Sequence, residues 1–126
     1  MGCGIHGWVE RKVGDKYVAI KEFGDRATER NYRRFGALAG VREDGPPPRG
    51  VPPDVSDTGR YYIDEWAGDG HSHSWLPLQE AAKIYAVKRY ESGEDWPDWV
   101  ADDPVYYFFD LFETEPDDRV VFWFDN

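Results

Sequence analysis

The sequence predicts an α+β fold, in which two β-hairpins form one antiparallel sheet and two helices pack on one of its faces. Three observations carry this prediction. Apolar and polar residues alternate over residues 4–12, and aromatic, apolar runs lie near the other end of the chain, and both patterns are typical of strands. Residues 28–40 and 77–91 instead place their apolar side chains at helical spacing. Between them, residues 43–60 contain five prolines and three glycines, which predict a long loop.

The first hairpin is predicted from the alternation over residues 4–12 and from a second strand over 17–23. A Gly-Asp turn separates the two segments. In this register His6 and Glu10 share one face of the strand, with Trp8 between them.

The first helix is predicted to begin at the N-cap Thr28 and to end at Gly40. Its apolar stripe is Tyr32, Phe35, Leu38 and Ala39. Gly36 and Gly40 weaken the helix but leave room for another backbone to approach.

The rest of the chain completes the predicted sheet. Residues 61–66 predict a short strand, and residues 69–75 predict a loop that leads into the second helix. The aromatic runs at 105–112 and 119–124 predict the second hairpin. The run at 119–124 is expected to be a central strand, because large apolar residues occupy both of its faces.

Composition limits the possible functions. The 126 residues predict a single domain over residues 1–126, and the net charge of −10 argues against binding to long nucleic acids. The single cysteine predicts a reducing compartment, and no apolar run is long enough for a membrane span. We therefore expect a protein of the cytoplasm, without a signal segment.

A positive segment lies within this acidic chain, because residues 26–50 contain six arginines, three acids and no lysine. The arginine fork suits phosphate or carboxylate. Arg30 and Arg34 lie one helical turn apart, and Arg49 comes from the proline-rich loop. Asn31 and Tyr32 add an amide and a ring that could contact a nucleobase. The alternative is that the arginines pair with the protein's own acids.

The histidines suggest a second part of the same site. In an extended segment, His71 and His73 point the same way and could contact a ligand, with Trp75 beside them. Alternatively, they could join His6 and Asp69 to hold a divalent transition metal. A third interpretation is that they only organise the entry to the second helix.

The aromatic and acidic residues each have two interpretations. Trp8, Tyr62, Trp66 and Trp75 could stack on a planar ring or pack in the core. The acidic segment 94–118 could imitate DNA, or it could be a solvated surface.

The chain resembles a set of uncharacterised small proteins from tailed bacteriophages. The motifs that carry the resemblance are a start like M-G-C-D-I-H, a middle like R-N-Y-x-x-F-x-x-L-A-x-V-R, a loop like R-G-x-P-x-D-x-S, and a D-x-H-S-H-S-W/Y-L stretch. Here they stand at 1–6, 30–42, 49–56 and 69–76, and an aromatic terminal strand follows at 119–126. Gly4 replaces the aspartate of that pattern, so a metal ligand at that position would be missing here. The resemblance implies a phage origin and hence the host cytoplasm, and by analogy a role against host defence.

The leading hypothesis is a binding protein that sequesters a small phosphorylated ligand, such as a cyclic or modified nucleotide, without a cofactor. The arginines would clamp its phosphates, the two histidines of the 69–75 segment would donate hydrogen bonds, and Trp75 or Tyr32 would stack on the base. We expect a homo-oligomer with shared sites. The alternatives are a metal-dependent phosphodiesterase and an acidic interaction or DNA-mimic module.

Overall fold

The computed structural model describes residues 3–24, 32–91, 115 and 117–125 of the chain. The strands are β1 (Gly4–Val13), β2 (Lys16–Glu22), β3 (Gly70–Pro77) and β4 (Arg119–Asp125). The helices are α1 (Tyr32–Ala39), α2 (Asp57–Trp66) and α3 (Leu78–Glu91), and a 3-10 turn at Ala67–Asp69 joins α2 to β3. Several predictions lie outside the described residues: the N-cap Thr28, the ligand contacts Arg30 and Asn31, the strand at 105–112 and most of the acidic segment 94–118.

The four strands form one antiparallel sheet in the order β2-β1-β4-β3, which confirms the predicted α+β fold class. The predicted hairpin is β1 with β2, and a bulge between Val9 and Glu10 shifts its register. Strand β4 pairs with β1 on one side and with β3 on the other. Its central position confirms the prediction from its apolar residues, five of which in succession are buried.

One face of the sheet carries the main core, and the two predicted helices, α1 and α3, pack on it. Phe35 of α1 meets Phe124 of β4 edge-on, with 5.1 Å between the ring centroids. Ala81 of α3 is fully buried in the same cluster. At Gly36, an added Cβ would lie 2.8 Å from the Cβ of Glu43, so the helix and the following loop approach as closely as the sequence suggested.

The opposite face is covered by α2, which the sequence analysis did not predict. Residues 61–66 are helical, so the prediction of a strand there is wrong, and the predicted loop ends at Ser56. Ile63 of α2 packs against Val121 and Trp123 of β4 in a second, smaller cluster. The helix forms because capping residues follow the proline-rich segment directly and because its inner side is apolar.

Ser56 is the N-cap of α2. Its hydroxyl accepts a hydrogen bond from the amide of Gly59 over 2.9 Å, and its own amide donates to Oε2 of Glu10 over 2.9 Å. The carboxylate thus lies at the positive end of the helix, where negative charge is favoured. This arrangement connects the start of α2 to β1.

We expect Ser56→Ala to lower the free energy of unfolding by about 1 kcal/mol, because the amide of Gly59 loses its acceptor. Urea denaturation followed by circular dichroism measures the change. Thr58→Ala is the matched control, since Thr58 is exposed within the first turn of the same helix. Equal stabilities of the two variants would contradict this role for the cap.

A buried ion network connects β1, β4 and the loop before α2. Arg119 donates from Nε to Oε1 of Glu10 over 2.8 Å and from Nη1 to Oδ1 of Asp54 over 2.9 Å. Its guanidinium also lies 3.4 Å from the centroid of the Tyr17 ring. The hydrogen bond from Arg119 lowers the pKa of Asp54 below its ordinary value. One arginine therefore joins three parts of the chain.

The loop before α2 runs beside β3. The amide of Gly50 donates to the carbonyl of His73 over 2.8 Å, and the amide of Arg49 donates to the hydroxyl of Ser74 over 3.0 Å. These bonds satisfy polar groups of β3 on the side that faces away from β4.

Within the described part of the chain, no helix has the length and apolar character needed to cross a membrane.

Candidate functional site

The candidate site consists of two neighbouring pockets at α2, an inner one between the helix and the sheet and an outer one lined only by α2 and the turn that follows it. Its inner part has a volume of about 240 Å³ and is lined by His6, Gly7, Trp8, Glu22, Tyr62, Trp66 and Trp123. Its outer part has a volume of about 480 Å³ and is lined by Tyr61, Tyr62, Glu65, Trp66 and Asp69. The two parts share Tyr62 and Trp66, and together we call them the aromatic cleft.

The local structure explains why these side chains converge. Alternation along β1 directs His6 and Trp8 to one face of the sheet, as predicted, and α2 covers that face. Tyr62 and Trp66 are four residues apart on α2, so both fall on the same side of the helix. Trp123 comes from β4, at the register position opposite His6.

The walls of the cleft are aromatic rings in contact. The ring centroids of His6 and Trp66 are 4.2 Å apart, and those of Trp8 and Tyr62 are 5.4 Å apart. Tyr61 meets Tyr62 edge-on at 5.1 Å, with the two rings perpendicular. These spacings are those of favourable aromatic pairs. The cleft therefore offers several ring faces to a bound group.

The orientation of His6 is fixed by Asp125. The Nε2 atom of His6 lies 2.7 Å from Oδ2 of Asp125, while Oδ1 of that carboxylate accepts a hydrogen bond from the amide of Gly4 over 2.9 Å. The carboxylate thus holds the ring against Trp66. Asp125 was not among the predicted site residues, since only the pairing of β1 with β4 brings it to His6.

The two neighbouring histidines do not point the same way, so that prediction is wrong. Ser72 between them has a φ of 56°, and the pairing with β4 shifts register between His71 and Ser74. His71 lies against Phe124, with ring centroids 6.3 Å apart, and His73 stacks on Trp123 at 6.2 Å. Because Trp123 and Phe124 are successive strand residues, the two imidazoles approach opposite faces of the sheet.

This separation also affects the predicted metal site of His6, Asp69, His71 and His73. Among the residues that the structure describes, no three histidine, cysteine, aspartate or glutamate side chains are grouped so that they could hold a metal ion. Asp69 lines the outer part of the aromatic cleft, and His6 is paired with Asp125. The predicted ligands therefore do not assemble as a metal centre.

The predicted anion contacts are also dispersed. Arg34 is 2% exposed and so presents little surface to a ligand, and its role as an anion clamp stays a prediction. Arg49 pairs with Glu80 over 3.0 Å and lies 5.3 Å from the centroid of the Trp75 ring. This ion pair supports the alternative that the arginines pair with the protein's own acids. The hydroxyl of Tyr32 accepts a hydrogen bond from the amide of Cys3 over 3.1 Å.

His73 is the histidine whose charge the fold disfavours. Burial lowers its pKa below the ordinary value of 6.5, and the nearby His71 and Arg60 lower that pKa further. Its Nε2 atom is buried and has no hydrogen-bond partner in the described structure. The unfolded chain therefore takes up the proton of this residue at a higher pH than the native protein does.

We expect this histidine to make the protein less stable as the pH falls below about 6.5, because protons then favour the unfolded state. Urea denaturation at pH 7.5 and at pH 5.5 measures the loss. The variant His73→Gln should lose less stability between these two conditions than the original protein. Identical losses would show that His73 does not contribute to the pH dependence.

A scan against protein-family models finds no match to this chain, and searches of curated proteins and of solved structures find no significant match. The resemblance to tailed-phage proteins therefore stays a prediction. The function has to be argued from the site.

Proposed function

We propose that this protein binds a small ligand without turning it over and that the aromatic cleft is its binding site. The observation that carries the proposal is that two neighbouring pockets share the rings of Tyr62 and Trp66 as lining residues. The outer part, at about 480 Å³, falls within the range of about 300–1,000 Å³ found for ligand pockets. Aromatic walls with a few polar groups are also typical of such sites.

Binding is favoured over catalysis by the side chains that line the cleft. The ionisable lining residues are His6, Glu22, Asp69, Glu65 and the two tyrosines. None of the described lining residues is a serine, threonine, cysteine or lysine, so the nucleophiles that the cleft could offer are its carboxylates, His6 and the two tyrosines. The predicted metal ligands are separated as well, which leaves the phosphodiesterase alternative without support from the geometry.

The hypothesis of a nucleotide ligand is supported only in part. The aromatic walls could stack on a nucleobase. The carboxylates of the cleft would repel a phosphate, and the described arginines predicted to clamp it lie elsewhere. Sequestration of a host-defence signal and assembly into a homo-oligomer both stay predictions, and light scattering on the purified protein tests the assembly.

Isothermal titration calorimetry tests the proposed function with a panel of mononucleotides, cyclic nucleotides, neutral aromatic compounds and organic amines. We expect at least one class to bind and the affinity to fall about tenfold in Tyr62→Ala, because a stacking face is lost. Trp66→Ala should have the same effect. Trp75→Ala is the matched control, since Trp75 lines a separate cleft with Tyr17 and Arg119.

The proposal fails if no compound of the panel produces heat at micromolar protein. It also fails if the Tyr62 and Trp66 variants bind as the original protein does. Circular dichroism of each variant shows whether the fold is retained, and Tyr62→Ala is the more informative variant because Tyr62 is 40% exposed.

A further inference from the structure

The aromatic cleft carries acids but no basic side chain other than histidine among its described lining residues. Glu22 lines the inner part, and Glu65 and Asp69 line the outer part. From this combination of carboxylates and aromatic faces we infer that the ligand is a small organic cation, an alkylammonium or guanidinium compound. The inference rests on the proposed function and specifies the ligand class of that same site.

The aromatic geometry suits a cation. Tyr61 and Tyr62 form a corner of two perpendicular rings, and they are 59% and 40% exposed respectively. Trp66 adds an indole to the same cavity. The electron-rich faces of tyrosine and tryptophan attract ammonium and guanidinium groups, and several faces around one cation form an aromatic cage.

The carboxylates lie where they can reinforce this attraction. Glu65 is four residues after Tyr61 on α2, so its side chain projects one turn along from that ring. Asp69 follows in the turn that leads to β3. Both carboxylates are exposed, so each strengthens cation binding modestly and in a way that depends on salt.

The charge of the whole chain acts in the same direction. A net charge of −10 attracts cations toward the surface and slows the approach of anions. An anionic ligand would need a guanidinium or ammonium group in the cleft, whereas Arg49 is paired with Glu80 outside it. Charge and wall composition thus point to the same ligand class.

The experiment uses choline, spermidine and arginine as cations in titrations at low salt. The neutral control is 3,3-dimethyl-1-butanol, which has the shape of choline without its charge. We expect at least one cation to bind, and choline to bind about tenfold more tightly than the neutral compound. Tyr62→Ala should weaken cation binding to a similar extent.

Two charge variants test the role of the carboxylates. Glu65→Gln should weaken cation binding about two- to threefold at low salt and reduce its dependence on salt. Glu80→Gln is the matched control: it removes the same charge from an exposed position outside the cleft, so it should leave the affinity almost unchanged. An equal effect of both variants would overturn the inference, because only the net charge would then matter.

The remaining outcomes separate the inference from the proposed function. If a nucleotide or a neutral aromatic compound binds in a manner that depends on Tyr62 and no cation does, the ligand class is wrong and the binding function holds. If no compound binds, both are wrong. Equal affinity for choline and its neutral isostere would show that the cleft recognises shape and not charge.

Discussion

Replacing Glu10 by glutamine is expected to lower the free energy of unfolding by about 3–5 kcal/mol. Glu10 is fully buried, and Arg119, its partner at 2.7 Å, is only 6% exposed. The variant leaves a guanidinium inside the protein without its main counter-charge. Glu10 also accepts the amide of Ser56, so the substitution weakens the attachment of α2 as well. Urea denaturation followed by tryptophan fluorescence measures the loss.

The matched control is Asp54→Asn, which removes a different carboxylate from the same arginine. The side chain of Asp54 is 59% exposed, so water can replace its contact, and the expected loss is below about 1 kcal/mol. The double variant Glu10→Met/Arg119→Met should recover part of the stability lost in Glu10→Gln, because it removes both buried charges. Similar losses of stability in Glu10→Gln and Asp54→Asn would show that the burial of Glu10 does not increase the cost of removing its charge.

Gly7→Ala is expected to cost about 3 kcal/mol of stability, or to prevent folding. An added Cβ at this position would collide with the carbonyl oxygen of Val121 and would lie 2.9 Å from Cα of Phe122. Both obstacles are backbone atoms of β4, which is paired on both sides and cannot move without breaking its hydrogen bonds. Relief of the strain would therefore separate β1 from β4.

Thermal unfolding followed by circular dichroism tests this expectation, with Gly68→Ala as the control. Gly68 has no atom within 4 Å of an added Cβ, so its substitution should change the melting temperature little. A Gly7→Ala protein as stable as the Gly68 variant would show that β1 and β4 can separate slightly at no cost.

The first hairpin and the central strand could be predicted because their signals are local, whereas β3 was wrongly predicted as a loop over residues 69–75. Alternation and a turn define the first hairpin, and five apolar residues in succession indicate that β4 has no solvent-facing side. The helix α2 could not be predicted in the same way. Its residues Tyr61 and Tyr62 favour strands, and the prolines before Ser56 suggested a loop that continues. The capping pattern at Ser56 was the signal that could have located it.

The site was predicted less well than the fold, for a geometric reason. Trp8, Tyr62 and Trp66 were identified as rings that could stack on a ligand, yet nothing in the sequence shows that they share a cavity. These rings come together only because α2 packs against β1 and the sheet. Asp125 is separated from His6 by 119 residues, so spacing along the chain could not reveal this pair. The prediction that His71 and His73 point the same way was wrong because a bulge between His71 and Ser74 changes the direction of one side chain.

The order of the strands has a consequence for how this chain folds. Among the described strands, only the β1–β2 ladder joins neighbouring segments, whereas Glu10 and Arg119, on adjacent strands, are 109 residues apart. Until β4 inserts between β1 and β3, the two sides of the sheet share no partner. Contacts of such long range are entropically expensive to close and are associated with slow folding. We therefore expect insertion of the central strand to limit the rate of folding.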